Sequence, residues 1–314
     1  MKLILLSDCH MCVDKPVGRL DNNMLSVGLS KLEYVFQYAQ ENNIYHILQG
    51  GDFLDVRRSW ELVSELSRFL KYWQKRDILL YGVAGQHDMY FHSTTNEKTA
   101  LGVLISAGLF TRLTMQAQSF SDNKTSINLY GSSFGEAIPT GELSGVNILV
   151  CHRQILMKKE WAQQEHYEYA PEFLRNNEGY DLILCGDMHQ KFDFKDGKRY
   201  ICNAGVMMRL EATESNMSHM PGFYIYDTDK LTLKYELIKI AKNGSEVLSK
   251  EHLKQQKLRR QNFEDFVSNI KNSEDDTKSP DFDKNLQTLM DRSKTSPNVR
   301  EHISEYLARG GSNG

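Results

Sequence analysis

No stretch of this 314-residue chain approaches the ~20 consecutive apolar residues that a membrane-spanning helix requires. Lys2 is followed by only four apolar residues before polarity returns, too few for the core of a secretory signal. These two absences predict a soluble, cytoplasmic chain with no membrane contact. An excess of positive charge is missing as well. Lys and Arg number 38 against 41 Asp and Glu, for a formal charge of -3 and a pI near 6.4. Without a global basic field, any binding of nucleic acid must rest on a local patch or on bound cations. Cysteine is scarce and odd in number, at positions 9, 12, 151, 185 and 202. Cys9 and Cys12 form a C-x-x-C, but no second pair follows to complete a zinc or redox framework. Cys151, Cys185 and Cys202 lie in or at the ends of apolar runs, as small buried thiols do in a reducing compartment. No internal repeat is found.

What is present suits a large packed core, since 40% of the residues are hydrophobic. Short β-rich runs alternate with helical patterns in the first half: LILLS, then Leu32, Val35, Phe36 and Ala39, then HILQ, then Leu62, Leu66, Phe69, Leu70 and Trp73, then ILLYGV. Spacings of three and four mark amphipathic helices packed against a sheet. Strands dominate the second half, with INLYGSSF, VNILVCH, LILCGD, RYICNAGV, FYIYD and LTLKYELIKI. The expected fold class is therefore α/β, a sandwich of sheets covered by helices.

The texture changes at AKNGSE, which places a boundary after residue 242. Residues 1–242 are read as the catalytic domain and 243–314 as a helical, partly flexible extension. Three stripes fall in that extension: Phe263, Phe266, Val267 and Ile270; Phe282, Leu286, Leu289 and Met290; Val299, Ile303, Tyr306 and Leu307. Helices this short cannot build a core alone, so they dock on the body, await a partner, or belong to a disordered tail. The ending GGSNG reads as a flexible tail.

Chemistry gathers where apolar runs stop. LILLS runs into Asp8 and His10, whose side chains, two apart on extended chain, project to one side. HILQ runs into Gly50-Gly51-Asp52 and on to Asp55, and ILLYGV into Gly85-Gln86-His87-Asp88. VNILV ends in Cys151-His152, and LIL in Cys185-Gly186-Asp187-Met188-His189. Taken singly, each has a structural explanation as a turn aspartate, a core histidine or a surface residue. Jointly they do not, because open α/β sheets bind ligands beyond the carboxyl ends of their strands and packing has no reason to put carboxylates and imidazoles there. Metal chemistry does.

The order D-x-H, G-D-x-x-D, G-x-H-D, H, G-x-x-H resembles the calcineurin-like metallophosphoesterases over roughly residues 1–240. The resemblance implies a metallophosphoesterase β-sandwich flanked by helices, with a centre of two divalent ions, Mn2+ first, with Mg2+ or Fe2+ as alternatives. It implies that Asp8, His10 and His189 hold one ion, that Asp52 bridges, and that Gln86, His152 and Asp187 hold the other. It gives His87 the catalytic role beside the scissile phosphate, with Asp88 next to it as an orienter. Gln86 stands where the family usually has Asn, and Asp187 where it usually has His, so both departures fall on the second ion. An anionic oxygen in place of a ring nitrogen favours harder ions over zinc.

Within the family the chain looks most like the SbcD-type nuclease subunit of the bacterial SbcCD repair complex and its phage-borne relatives. The features behind this are Val56-Arg57-Arg58-Ser59, Leu129-Tyr130-Gly131-Ser132-Ser133, Asn203-Ala204-Gly205-Val206 and the appended helices. That likeness implies a DNA exo- or endonuclease acting in repair. Arg57 and Arg58 are candidates to hold the DNA backbone, or a solvated pair that opens the helix at Ser59-Trp60, and Tyr90, Phe91 and His92 either stack on a base or pack their loop. The likeness also implies an SbcC-type ATPase docked on the C-terminal helices and a second copy of the chain as partners, and the host cytoplasm as location if phage-encoded. Two rival readings stay open: a phosphatase or phosphodiesterase on a small nucleotide or phosphoprotein, and a degenerate scaffold of the same fold.

Overall fold

A computed structural model describes residues 1–55, 58–90, 98–121, 125–141, 143–157 and 167–272, and beyond these positions 286, 289–291, 295 and 299–300. The elements run β1 (Lys2–Leu6), α1 (Met24–Glu41), β2 (His46–Gln49), α2 (Trp60–Gln74), β3 (Leu79–Gly82), α3 (Ala100–Ser106), β4 (Thr111–Arg112), β5 (Gln118–Ser121), β6 (Ser126–Ser132) and β7 (Val146–His152). There follow β8 (Ile155–Leu156), β9 (Glu168–Tyr169), α4 (Ala170–Asn176), β10 (Leu182–Gly186), β11 (Phe192–Asp196), β12 (Arg199–Asn203), α5 (Glu214–Ser218), β13 (Gly222–Asp227), β14 (Thr232–Leu237), α6 (Gly244–Val247) and α7 (Lys250–Asn272).

Two six-stranded sheets form, in the orders β14-β13-β1-β2-β3-β4 and β11-β12-β10-β7-β6-β5. Strands β1 to β4 pair in parallel, as do β6, β7, β10 and β12, while β13, β14, β11 and β5 join antiparallel at the margins. The central strands are apolar on both faces because both faces are covered. In β1, Leu3 and Leu5 meet Leu129, Ile148, Val150 and Leu184 of the second sheet, whereas Ile4 and Leu6 face the helices. The helical layer over the first sheet buries Leu32, Val35 and Phe36 of α1 and Leu62, Leu66 and Trp73 of α2. Over the second sheet, Phe173 and Leu174 of α4 cover Leu149, Ile183 and Ile201. The result is a sandwich of two sheets with helices on both outsides, the expected class. Each such side chain taken out of water contributes roughly 1.5–3 kcal/mol.

Caps fix where the helices start. Asn23 accepts from the Ser26 amide at 2.9 Å and Ser59 from that of Leu62 at 3.3 Å. The predicted strand β14 stops at Leu237, short of the full LTLKYELIKI run. β11 is a strand the apolar runs did not reveal, for it alternates Phe192 and Phe194 with exposed Asp193 and Lys195.

The chain divides into two compact units, Met1–Lys250 and Glu251–Gly314. Residues 243–250 thus fall with the first unit, beyond the boundary read from composition, because Leu20 donates to the Val247 carbonyl and Ser249 to that of Gly18, both at 2.9 Å. In the second unit α7 begins well before its apolar stripe, in the polar stretch KEHLKQQK. Of the other two stripes only Leu286, Leu289, Met290 and Val299 are described, in helical backbone; the rest, with the GGSNG ending, lies outside the described residues. Among the described residues no helix is long and apolar enough to cross a membrane.

Candidate metal centre

The parallel strands of both sheets end on one side. Leu6, Gln49 and Gly82 stand in register across β1, β2 and β3, as do His152 and Gly186 across β7 and β10. The loops that leave these strands are zipped together: His10 donates to the Asp52 carbonyl and Met11 to that of Phe53, both at 2.9 Å, and Met207 donates to that of Asp8 at 2.9 Å. His10, Asp52 and Asp187 have φ of 48°, 50° and 81°, a left-handed region that costs a non-glycine residue roughly 1–3 kcal/mol. Three of the six described non-glycine residues in that region are predicted ligands, while Asn43, Asp77 and Leu231 lie elsewhere. Glycine allows the close approach, since a Cβ on Gly51 would fall 2.2 Å from His152 Nδ1 and one on Gly85 2.1 Å from Asp52 Oδ1.

The side chains converge. Asp8, His10 and His189 offer ligand atoms within 4.8 Å of one another, and so do Asp8, Asp52 and His152. His10 Nε2 lies 3.1 Å from His189 Nε2, and Asp52 Oδ2 lies 3.9 Å from His10 Nε2 and 3.4 Å from His152 Nε2. Asp52 therefore stands between the two histidines, where a bridging carboxylate belongs. Gln86 closes the far side, with Oε1 2.8 Å from His152 Nε2 and Nε2 donating to Asp187 Oδ1 at 2.9 Å.

A count of donors tests whether cations fit. His152 Nδ1 is 2.8 Å from the Gly50 carbonyl and must donate to it, so its Nε2 carries a lone pair unless the ring is charged. That atom faces two acceptors, Gln86 Oε1 and Asp52 Oδ2. Asp8 Oδ2, Asp52 Oδ2 and Asp187 Oδ2 are buried without a hydrogen-bond partner. The pocket is thus crowded with acceptors and short of donors, the composition that divalent ions satisfy, and the residues fit them.

Titration follows the same shortage. Burial opposes charge on His152, but the hydrogen bond and charge of Asp52, with Asp8 and Asp187, hold it up at about 10. His10 is also raised, against burial, through its bond to Asp55 and the charges of Asp52 and Asp8. Burial pushes Asp8 up to about 6. For Asp52 burial is outweighed by His152, which brings it down to about 2. Burial and the neighbouring His10 lower His189 to about 4.

His87 sits at the rim, its side chain 44% exposed, with its amide on Asp52 Oδ1 at 2.8 Å and its ring edge-on to His10. Its Nδ1 is 3.3 Å from Asp55 Oδ1, the same oxygen that lies 3.1 Å from His10 Nδ1. Asp55, which the G-D-x-x-D motif carries and to which the sequence reading assigned no role, thus faces both rings. The buried carboxylate of Asp88 accepts from the amides of Leu54 at 2.9 Å, Gly85 at 3.0 Å and Phe53 at 3.2 Å. It clamps the two loops to each other rather than meeting the His87 ring. Gln49, Ser7 and Asn203 act similarly on the backbone, Asn203 tying the Met188 carbonyl at 2.6 Å. Arg58 is exposed with its guanidinium 5.0 Å from the Tyr90 ring centroid; Arg57, Phe91 and His92 lie outside the described residues. All five cysteines are free and buried, and burial lifts the Cys12 thiol to about 12, so the C-x-x-C is inert packing.

A two-sheet sandwich with carboxylates and imidazoles gathered at its strand ends defines a class, the metallophosphoesterase fold. Residues 1–191 match the model of the calcineurin-like phosphoesterases, and the chain belongs to that family. Membership implies a hydrolase of phosphoester bonds that uses divalent metals. No curated protein sequence matches the chain. Among solved structures it is similar to an archaeal phosphodiesterase at 12% identity and a TM-score of 0.41, covering 76% of this chain and 99% of that one. It is also similar to a 5'-nucleotidase precursor from Thermus thermophilus at 10% identity and a TM-score of 0.44, covering 75% of this chain but only 54% of that one.

Proposed function

We propose that the chain is a DNA phosphodiesterase, a nuclease whose centre takes two divalent ions. The observation that carries the reading is Asp52, a buried carboxylate set between His10 and His152 with its Oδ2 facing both rings. Asp8, His10 and His189 would hold one ion and His152, Gln86 and Asp187 the other. When bound, such ions neutralise phosphate charge and lower the pKa of water.

The chain's own groups do the rest. Asp55 Oδ1, 3.3 Å from His87 Nδ1, orients the ring so that Nε2 is left to deliver a proton to the departing sugar oxygen. His10, held by the same carboxylate oxygen, keeps its Nε2 turned to the pocket. DNA as substrate, and an SbcD-like place in repair beside an SbcC-type ATPase, are supported by the sequence resemblance and by the cation Arg58 at the rim. One observation favours the scaffold reading instead: Gln86 and Asp187 hydrogen-bond each other, which satisfies part of the second ion's donor set.

The test is incubation with end-labelled single- and double-stranded DNA, a cyclic nucleotide and a phosphopeptide in one manganese buffer, beside an Asp52→Asn control. Cleavage of DNA by the natural chain alone is expected. Turnover confined to the nucleotide or the phosphopeptide would replace the substrate, and no turnover at all would favour the scaffold.

A further inference from the structure

Trp60 is 84% exposed although it opens α2, which buries Leu62, Val63, Leu66, Leu70 and Trp73. It lines a pocket of about 360 Å³ together with Arg58, Ser59, Val63, Lys98 and Val103. Small-ligand sites begin at about that volume. Among the described residues the lining carries two cations and no carboxylate, on a chain whose formal charge is -3. An indole face beside two cations is the chemistry that takes a flat base with its phosphates: the face stacks any base, and the cations follow the backbone. A basic peptide would be repelled, and an acidic one would leave the indole unused.

In sequence the pocket lies close to residues of the metal centre. Arg58 lies over Tyr90. Arg58 follows Asp55 by three residues and Tyr90 follows His87 by three, and Asp55 contacts His87. At roughly 3.3–3.6 Å per residue, that keeps the Cα atoms of Arg58 and Tyr90 within about 11 Å of those of Asp55 and His87 respectively. A strand with one phosphate at the centre would then run a neighbouring nucleotide toward the pocket.

We infer that this pocket is a base-stacking subsite for single-stranded DNA, with a nucleobase on Trp60 and the strand's phosphates against Arg58 and Lys98. The inference rests on the DNA phosphodiesterase reading. The test uses the full chain freed of metal by EDTA, so that nothing is cleaved, and follows binding of a labelled oligo-dT and of an abasic strand of equal length by fluorescence anisotropy. Trp60→Ala is expected to weaken oligo-dT binding about tenfold or more and to leave abasic binding unchanged, with Trp60→Phe restoring most of it. Replacing Arg58 and Lys98 together by Ala should flatten the dependence of log affinity on log salt by about 1.4. Equal binding of both strands by the natural chain, or oligo-dT affinity untouched by Trp60→Ala, overturns the subsite. Hydrolysis of bis-p-nitrophenyl phosphate keeps the two proposals apart. If the natural chain cleaves that small diester but shows no Trp60-dependent binding, the subsite alone fails; if it binds as expected but cleaves no diester, the enzymatic reading fails.

Discussion

In the proposed mechanism His87 serves as proton donor rather than ligand. It is half-exposed and joined to the centre by its amide on Asp52 and by its ring against Asp55 and His10, so on that reading its loss removes a proton donor and leaves the proposed ligand set whole. His87→Ala should retain ion binding, read by calorimetric titration with manganese, and lose about 10²- to 10⁴-fold in cleavage rate. Unchanged turnover would take the histidine out of the mechanism. A pH dependence follows from the raised imidazoles. Without ions, His152, held at about 10, carries a proton at neutral pH that an ion must displace, and the upward shift of His10 acts in the same direction. Ion affinity should rise with pH from 6 to 8 and fall away below, with protons released to solvent on binding. Calorimetry in two buffers of different ionisation heat measures that release, and its absence would contradict the assignment of these rings as ligands.

At the scale of elements the site is a set of loops held by groups that face away from it. Asp88 is the clearest case, a single carboxylate that satisfies three buried amides of two loops. Asp88→Ala would leave those amides unpartnered at roughly 1–3 kcal/mol apiece, so urea denaturation should show a loss of at least about 2 kcal/mol. A loss below about 1 kcal/mol would deny it the clamp. The same residue marks the limit of what the sequence made legible. The apolar runs and the polar groups at their ends could be read directly, because a strand buried on both faces is a continuous hydrophobic word and Asp8, Asp52, His152 and His189 interrupt it where packing alone would not. The target of the Asp88 carboxylate could not, since its partners are backbone amides 34 and 35 residues away in the chain. Nor could β11, an edge strand with one solvated face, nor the return of β13 to pair antiparallel with β1. Asp55 lay between the two cases, visible as a motif letter but not as the shared acceptor of two imidazoles.

At the scale of the molecule, the first unit carries every residue of the proposed centre, and the family match ends within it at residue 191, just past His189. The chain beyond the match completes the first sheet through β13 and β14 and supplies Asn203, which ties the loop bearing Asp187 and His189. The proposed centre is thus a crevice assembled from both sheets, with Asp52 at its middle. Anomalous diffraction from crystals soaked in manganese tests that most directly. Two peaks flanking Asp52 are expected, one within reach of Asp8, His10 and His189 and the other of His152, Gln86 and Asp187. An absence of density there, or one peak remote from Asp52, would contradict it.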